Sequence, residues 1–274
     1  MLTTTQFHLI CEEAYRNGTP RGFERAILRE YLQCEIMATL SELPGSESLA
    51  LIGGTGLRLL WDLDRFSEDL DFDNCGLPVS RPLALFNELA RTLARRGYAV
   101  HFTPKHTKQE RGGKLIFKGL LFALGLSPHH DETLFIKLEY TTPTPRPKTE
   151  VRLLNRFGFT AQIMTESLSV LCARKIFALL NRRRLQPRDL YDLVWFFSRR
   201  IAPDVSTLRT AEIPSHAALL KKLIPLFDKI TPQMKEYERD LAPLLLDPSH
   251  ARRIHTLPEL AQKILVGSPL DHRL

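Results

Sequence analysis

The chain has 274 residues, 43% apolar and 25% charged, a balance that supports a buried core and excludes extensive disorder. No stretch approaches the roughly 18 apolar residues of a membrane span, and the opening MLTTTQFHLICEEAYRNG carries acids where a signal peptide would be apolar, so a cytoplasmic location is expected. The formal charge of +7 favours an anionic partner such as nucleic acid or nucleotide, and the four scattered cysteines, with no CxxC pair, form neither a zinc nor a disulfide framework.

Phe23, Ile27, Tyr31, Cys34, Met37 and Ala38 recur at helical spacing and predict a helix over 22–41. After the turn at Pro44-Gly45-Ser46, Ser48 to Ile52 reads as a buried strand ending at Gly53-Gly54, and Leu57 to Trp61 as helix. A second short strand is expected at about Asp69 to Asp73, before a turn at Cys75-Gly76-Leu77-Pro78. Residues 82–97 are again amphipathic, with Leu83, Phe86, Leu89 and Leu93 opposite Arg91, Arg95 and Arg96.

From Tyr98 to Thr165 the pattern is β-rich, including Lys114–Gly119, Leu134–Tyr140 and Phe159–Ile163, with the proline-rich 142–147 as a stiff loop. Beyond Thr165 helices broken at prolines continue to the end. The expected organisation is therefore α+β, with one domain over 1–164 and a helical domain over 165–274.

Chemistry concentrates in two places. In Asp69-Leu70-Asp71-Phe72 strand alternation sends both carboxylates to one face and Leu70 and Phe72 to the core. Such paired oxygen ligands suit Mg²⁺, although Asp-x-Asp alone equally describes a solvated strand end. Upstream, the Gly53-Gly54-Thr55-Gly56 turn between strand and helix lets backbone N–H groups approach a phosphate, with the Thr55 hydroxyl as a further donor. It is neither a Walker A loop nor a GxGxxG fingerprint.

The stretch Leu51-Ile52-Gly53-Gly54-Thr55-Gly56-Leu57-Arg58-Leu59, followed by Arg65-Phe66-Ser67-Glu68-Asp69-Leu70-Asp71-Phe72, resembles the first motif of the AbiEii-type nucleotidyltransferase toxins of the DNA polymerase β-like superfamily. Ile136-Lys137-Leu138-Glu139 resembles the second motif, the helix around Lys175 the third, and Arg188-Asp189-Leu190-Tyr191-Asp192-Leu193 the fourth, so the likeness spans residues 51 to 195. It implies a polymerase β-like domain with a mixed sheet, two Mg²⁺ or Mn²⁺ ions, an NTP donor, an RNA acceptor such as the 3′ end of tRNA, release of pyrophosphate, and a partner antitoxin. Under that likeness Asp69, Asp71, Lys175 and Asp192 are the catalytic candidates, and Asp69, Asp71 and Glu139 the metal ligands. Gly53, Gly54, Thr55, Arg65, Ser67, Lys137 and Asp189 are the candidates for nucleotide contact.

The residues themselves leave alternatives open. Glu139 can complete a three-carboxylate site or pair with Lys137 on the same strand face. Lys175 lies on the apolar stripe of Leu168, Leu171, Cys172, Ile176 and Leu179, so it either snorkels or faces an anion. Asp189 and Asp192 share one side of the next helix, and Asp189 also suits a first-turn acid. Arg65 and Ser67 can contact phosphate or serve the loop alone. Arg182, Arg183, Arg184, Arg188, Arg199 and Arg200 form a basic rim suited to RNA phosphates or to solvent. A protein side chain could accept the nucleotide by the same chemistry, and a catalytically silent nucleotide- or RNA-binding module is the remaining reading.

Overall fold

A computed structural model describes residues 1–106 and 111–266, so the last eight residues of the expected helical domain lie outside the described residues. The chain divides into two compact units, one over Met1–Glu166 and the other from Ser167 onward.

The first unit opens with α1 (Thr4–Arg16), which the periodicity did not single out; Thr3 and Gln6 cap it reciprocally, and Phe7 and Cys11 are its buried side. Next comes α2 (Glu24–Ser41), buried along most of its length. Then follow β1 (Leu49–Ile52), α3 (Gly53–Trp61), β2 (Leu70–Asn74) and α4 (Arg81–Arg95). The unit ends with β3 (Val100–His106), β4 (Arg111–Phe117), the short α5 (Leu120–Ala123), β5 (Leu134–Thr141), β6 (Thr149–Arg156) and β7 (Phe159–Glu166).

The seven strands form one sheet in the order β3-β4-β5-β2-β1-β7-β6. It is mixed, as expected: β2 runs parallel to β5 and β1 parallel to β7, whereas β1 and β2 are antiparallel. The core lies on one sheet face. Leu70 and Phe72 of β2 and Ile136 and Leu138 of β5 are fully buried there with Leu85, Phe86 and Leu89 of α4, and Phe72 meets the Phe86 ring at 5.8 Å between centroids. Alternation then delivers Asp71 and Glu139 to the opposite face. A buried ionic cluster ties α2, α3 and β6 together: Glu30 accepts from Arg58 Nε at 2.9 Å and Arg156 Nη1 at 2.6 Å.

Most boundaries fall within a few residues of expectation, β2 for example starting at Leu70 and so leaving Asp69 just before it, and one difference bears on the site. Helix α3 starts at Gly53 rather than Leu57, so the glycines form its first turn instead of a separate loop. Gly53 has φ +73°, a left-handed conformation that costs any side chain.

The second unit is helical: α6 (Leu168–Asn181), α7 (Pro187–Ser198), α8 (Val205–Arg209), α9 (His216–Ile230), α10 (Met234–Leu241) and α11 (Leu257–Val266), with short 3-10 turns between. Helix α7 is its centre, buried from Asp189 to Phe197 and contacted by α6, α10 and α11. Asp204 caps α8 by accepting from Thr207 N at 2.8 Å, and Ser215 caps α9 by accepting from Ala218 N at 3.2 Å. No helix among the described residues is long and apolar enough to cross a membrane.

Candidate active site

In the first unit the strand register brings together acids that are remote in sequence. Asp71 of β2 stands opposite Ile52 of β1 on one side and opposite Glu139 of β5 on the other. The Gly53 turn thus lies beside Asp71, closely enough that a Cβ on Gly53 would fall 2.5 Å from Asp71 Oδ2. Together with the positive φ, this means that any side chain at Gly53 would strain the backbone and displace the Asp71 carboxylate.

The approach to β2 is equally crowded. A Cβ on Gly54 would fall 2.9 Å from Ser67 Oγ and collide with the Arg65 guanidinium, which places both predicted contacts against the glycine turn. Arg65 is nearly fully buried and donates from Nη1 to its neighbour's carbonyl, Phe66 O, at 2.9 Å. Thr55, expected as a phosphate donor, has its hydroxyl buried and directed at Asp69 O, 2.5 Å away; it holds the strand entry. Gln33 of α2 pins the same loop by donating from Nε2 to Ser67 O at 2.9 Å and Glu68 O at 3.0 Å.

Lys137 and Glu139 share a strand face and are ion-paired at 2.7 Å through Glu139 Oε1. The pair is thus formed, with Glu139 Oε2 left over, and among the described residues no group of three acid, histidine or cysteine side chains is gathered for a metal ion. The donor chemistry still fits a hard divalent cation, since Asp69 and Asp71 present only carboxylate oxygens and both are partly exposed. Sequence reading missed Asp73, which continues the Asp69, Asp71 alternation; it is buried and accepts from Thr141 Oγ1 at 2.5 Å across β2 and β5.

In the second unit the inward lysine has found anions of the chain itself. Lys175 Nζ lies 2.7 Å from Asp192 Oδ2 and 3.9 Å from Asp189 Oδ1. Asp192 is wholly buried and Asp189 nearly so. Arg182 Nε stands 3.0 Å from Asp189 Oδ2 but outside hydrogen-bond geometry, so charge rather than a directed bond holds that carboxylate. Burial pushes the Asp189 carboxyl above its ordinary range, against the lowering pull of Lys175 and Arg182. Both candidate aspartates therefore belong to one cluster around Lys175. The basic rim is thinner than its arginine count suggests, because Arg182 is committed to Asp189 and Arg199 lies 4.2 Å from the Trp195 ring centre.

The architecture is that of a nucleotidyltransferase. MenT4, a nucleotidyltransferase toxin from Mycobacterium tuberculosis H37Rv, is similar with a TM-score of 0.64 and 19% identity, covering 99% of this chain and 92% of that one. JHP933 from Helicobacter pylori is similar with a TM-score of 0.55 and 20% identity, covering 89% and 93% respectively. No curated protein matches by sequence. Over residues 35–262 the sequence matches the family Nucleotidyl transferase AbiEii toxin, Type IV TA system, and the chain belongs to that family. Such a toxin implies an NTP substrate and an antitoxin partner.

Proposed function

We propose that the protein transfers a nucleoside monophosphate from an NTP to an RNA acceptor, the 3′ end of a tRNA, and releases pyrophosphate. The observation that carries this reading is the placement of Asp71 between the Gly53 turn and Glu139. An acceptor hydroxyl would attack the α-phosphorus as the bond to the bridging oxygen breaks and pyrophosphate departs. Asp69 and Asp71 are the residues to hold Mg²⁺, two ions with Glu139 contributing its second oxygen, and Mn²⁺ could replace them. Such ions neutralise triphosphate charge and stabilise the leaving group.

The protein's own contribution is positional. Gly53 and Gly54 let backbone approach a phosphate without obstruction, while Arg65 and Ser67 brace that turn. Lys137 restrains Glu139. Asp192 orients the Lys175 ammonium, whose remaining N–H donors suit phosphate oxygens. Asp189 supports the same lysine. Cytoplasm supplies both NTP and RNA, and an antitoxin would restrain the activity there.

The test supplies each labelled NTP with Mg²⁺, total RNA and cell protein, and compares wild type with Asp71→Ala. Label in RNA that needs Asp71 is expected. Label in protein would move the acceptor to a side chain, and nucleotide binding without transfer would leave a silent module.

A further inference from the structure

The helical unit contains a cavity of about 460 Å³, and of its lining only Arg188 belongs to a family motif. It lies between the start of α7 and one face of α10, and its polar lining is Arg184, Arg188, Gln233, Glu236, Tyr237 and Asp240. The last four recur at three- and four-residue steps, so they form a single helical face. Among the described residues neither Arg184 nor Arg188 is ion-paired, in contrast to Arg182 nearby. Tyr237 is half-buried and lines the cavity, its hydroxyl donating to Gln233 Oε1 at 2.8 Å.

We infer that this cavity holds one unpaired nucleotide of the RNA acceptor, an inference that rests on the RNA reading above. The volume falls in the roughly 300–1,000 Å³ range of small-ligand pockets, which admits a splayed-out nucleotide and no duplex. Each part of a nucleotide meets a matching group: the Tyr237 ring offers a stacking face for the base. Arg184 and Arg188 offer charge to a phosphodiester. Glu236 and Asp240 accept from exocyclic amino groups, as carboxylates do with cytosine. The same two acids disfavour a triphosphate, whose several charges two arginines cannot balance beside two carboxylates, so an RNA residue is preferred over the NTP donor.

The cavity is coupled to the ionic cluster through the chain. Arg188 lines it, and the next residue, Asp189, is buried against Lys175 and Arg182. Acceptor seating would thus bear directly on the first turn of α7.

The experiment uses the full chain and a fluorescein-labelled, single-stranded RNA of mixed sequence, with binding read by anisotropy over a salt series. A non-hydrolysable NTP is titrated in parallel. Tyr237→Ala should weaken RNA binding about tenfold or more, from the lost stacking, while Tyr237→Phe stays within about twofold because the ring remains. Arg184→Ala with Arg188→Ala should reduce the salt slope by about 0.7 per arginine, and NTP affinity should not change in any variant. Unchanged RNA binding and salt slope in the variants would overturn the cavity assignment and leave the RNA reading intact. A loss confined to NTP binding would assign the cavity to the donor instead, and absence of RNA binding by wild type would overturn the RNA reading and this inference together.

Discussion

The Lys175–Asp192 pair permits a quantitative test. Lys175→Met keeps the apolar stem on the α6 stripe and deletes the ammonium, leaving Asp192, 0% exposed, without the lysine that lies 2.7 Å away. Breaking a buried pair on one side costs about 3–5 kcal/mol. The lower end applies, because the Lys175 side chain is 15% exposed and Asp189 retains Arg182. With a urea m-value of about 2 kcal/mol/M, a loss of about 3 kcal/mol moves the midpoint down by about 1.5 M. Trp195 on α7, buried beside Asp192 in sequence, reports this unit selectively once the other tryptophan is removed by Trp61→Phe. Deleting both charges in Lys175→Met/Asp192→Leu should restore the stability to within about 1 kcal/mol of wild type, a midpoint within about 0.5 M, since an apolar pair replaces an ionic one. A single variant as stable as wild type, or a double variant no better than the single, would refute the claim that Asp192 depends on Lys175.

The remaining expectations follow from equally local geometry. Asp189 has its folded-state pKa raised, chiefly by burial, so its contribution is fully present below the unfolded carboxyl range near 4 and is lost as pH rises through the folded value. The stability difference between wild type and Asp189→Asn should therefore shrink with rising pH in urea titrations, and a flat or growing difference would exclude the shift. Gly53→Ala should cost about 1–2 kcal/mol from the left-handed backbone alone and displace Asp71, seen as loss of nucleotidyl transfer in a protein that still folds by circular dichroism. Glu30→Ala should destabilise the first unit by about 3 kcal/mol, the lower end for a broken buried pair, because Arg156 keeps Asp62 and Arg58 keeps Leu63 O; a thermal midpoint equal to wild type would show that this cluster is not needed.

Local patterning was enough to identify the strand that bears Asp71 and follows Asp69, because alternation of Leu70 and Phe72 with acids admits one core face, and to set Lys175 on an inward stripe. The glycine turn was legible too, since close backbone approach needs residues without side chains. What the pattern could not show was partnership. Asp71 meets Glu139 only because β5 is inserted beside β2 in the sheet order, and local periodicity does not reveal which strands become neighbours. Lys175 meets Asp192 only when α6 and α7 pack, which gives the inward lysine an anion of the chain itself. Residue type likewise offered Thr55 as a donor to phosphate and left Arg65 open between phosphate and the loop, whereas only tertiary packing shows the Thr55 hydroxyl bonded to Asp69 O and Arg65 to Phe66 O. Sequence alone determined which groups carry charge and which face they leave from. The tertiary structure decided which charges answer one another, because a buried charge takes the nearest partner the fold supplies.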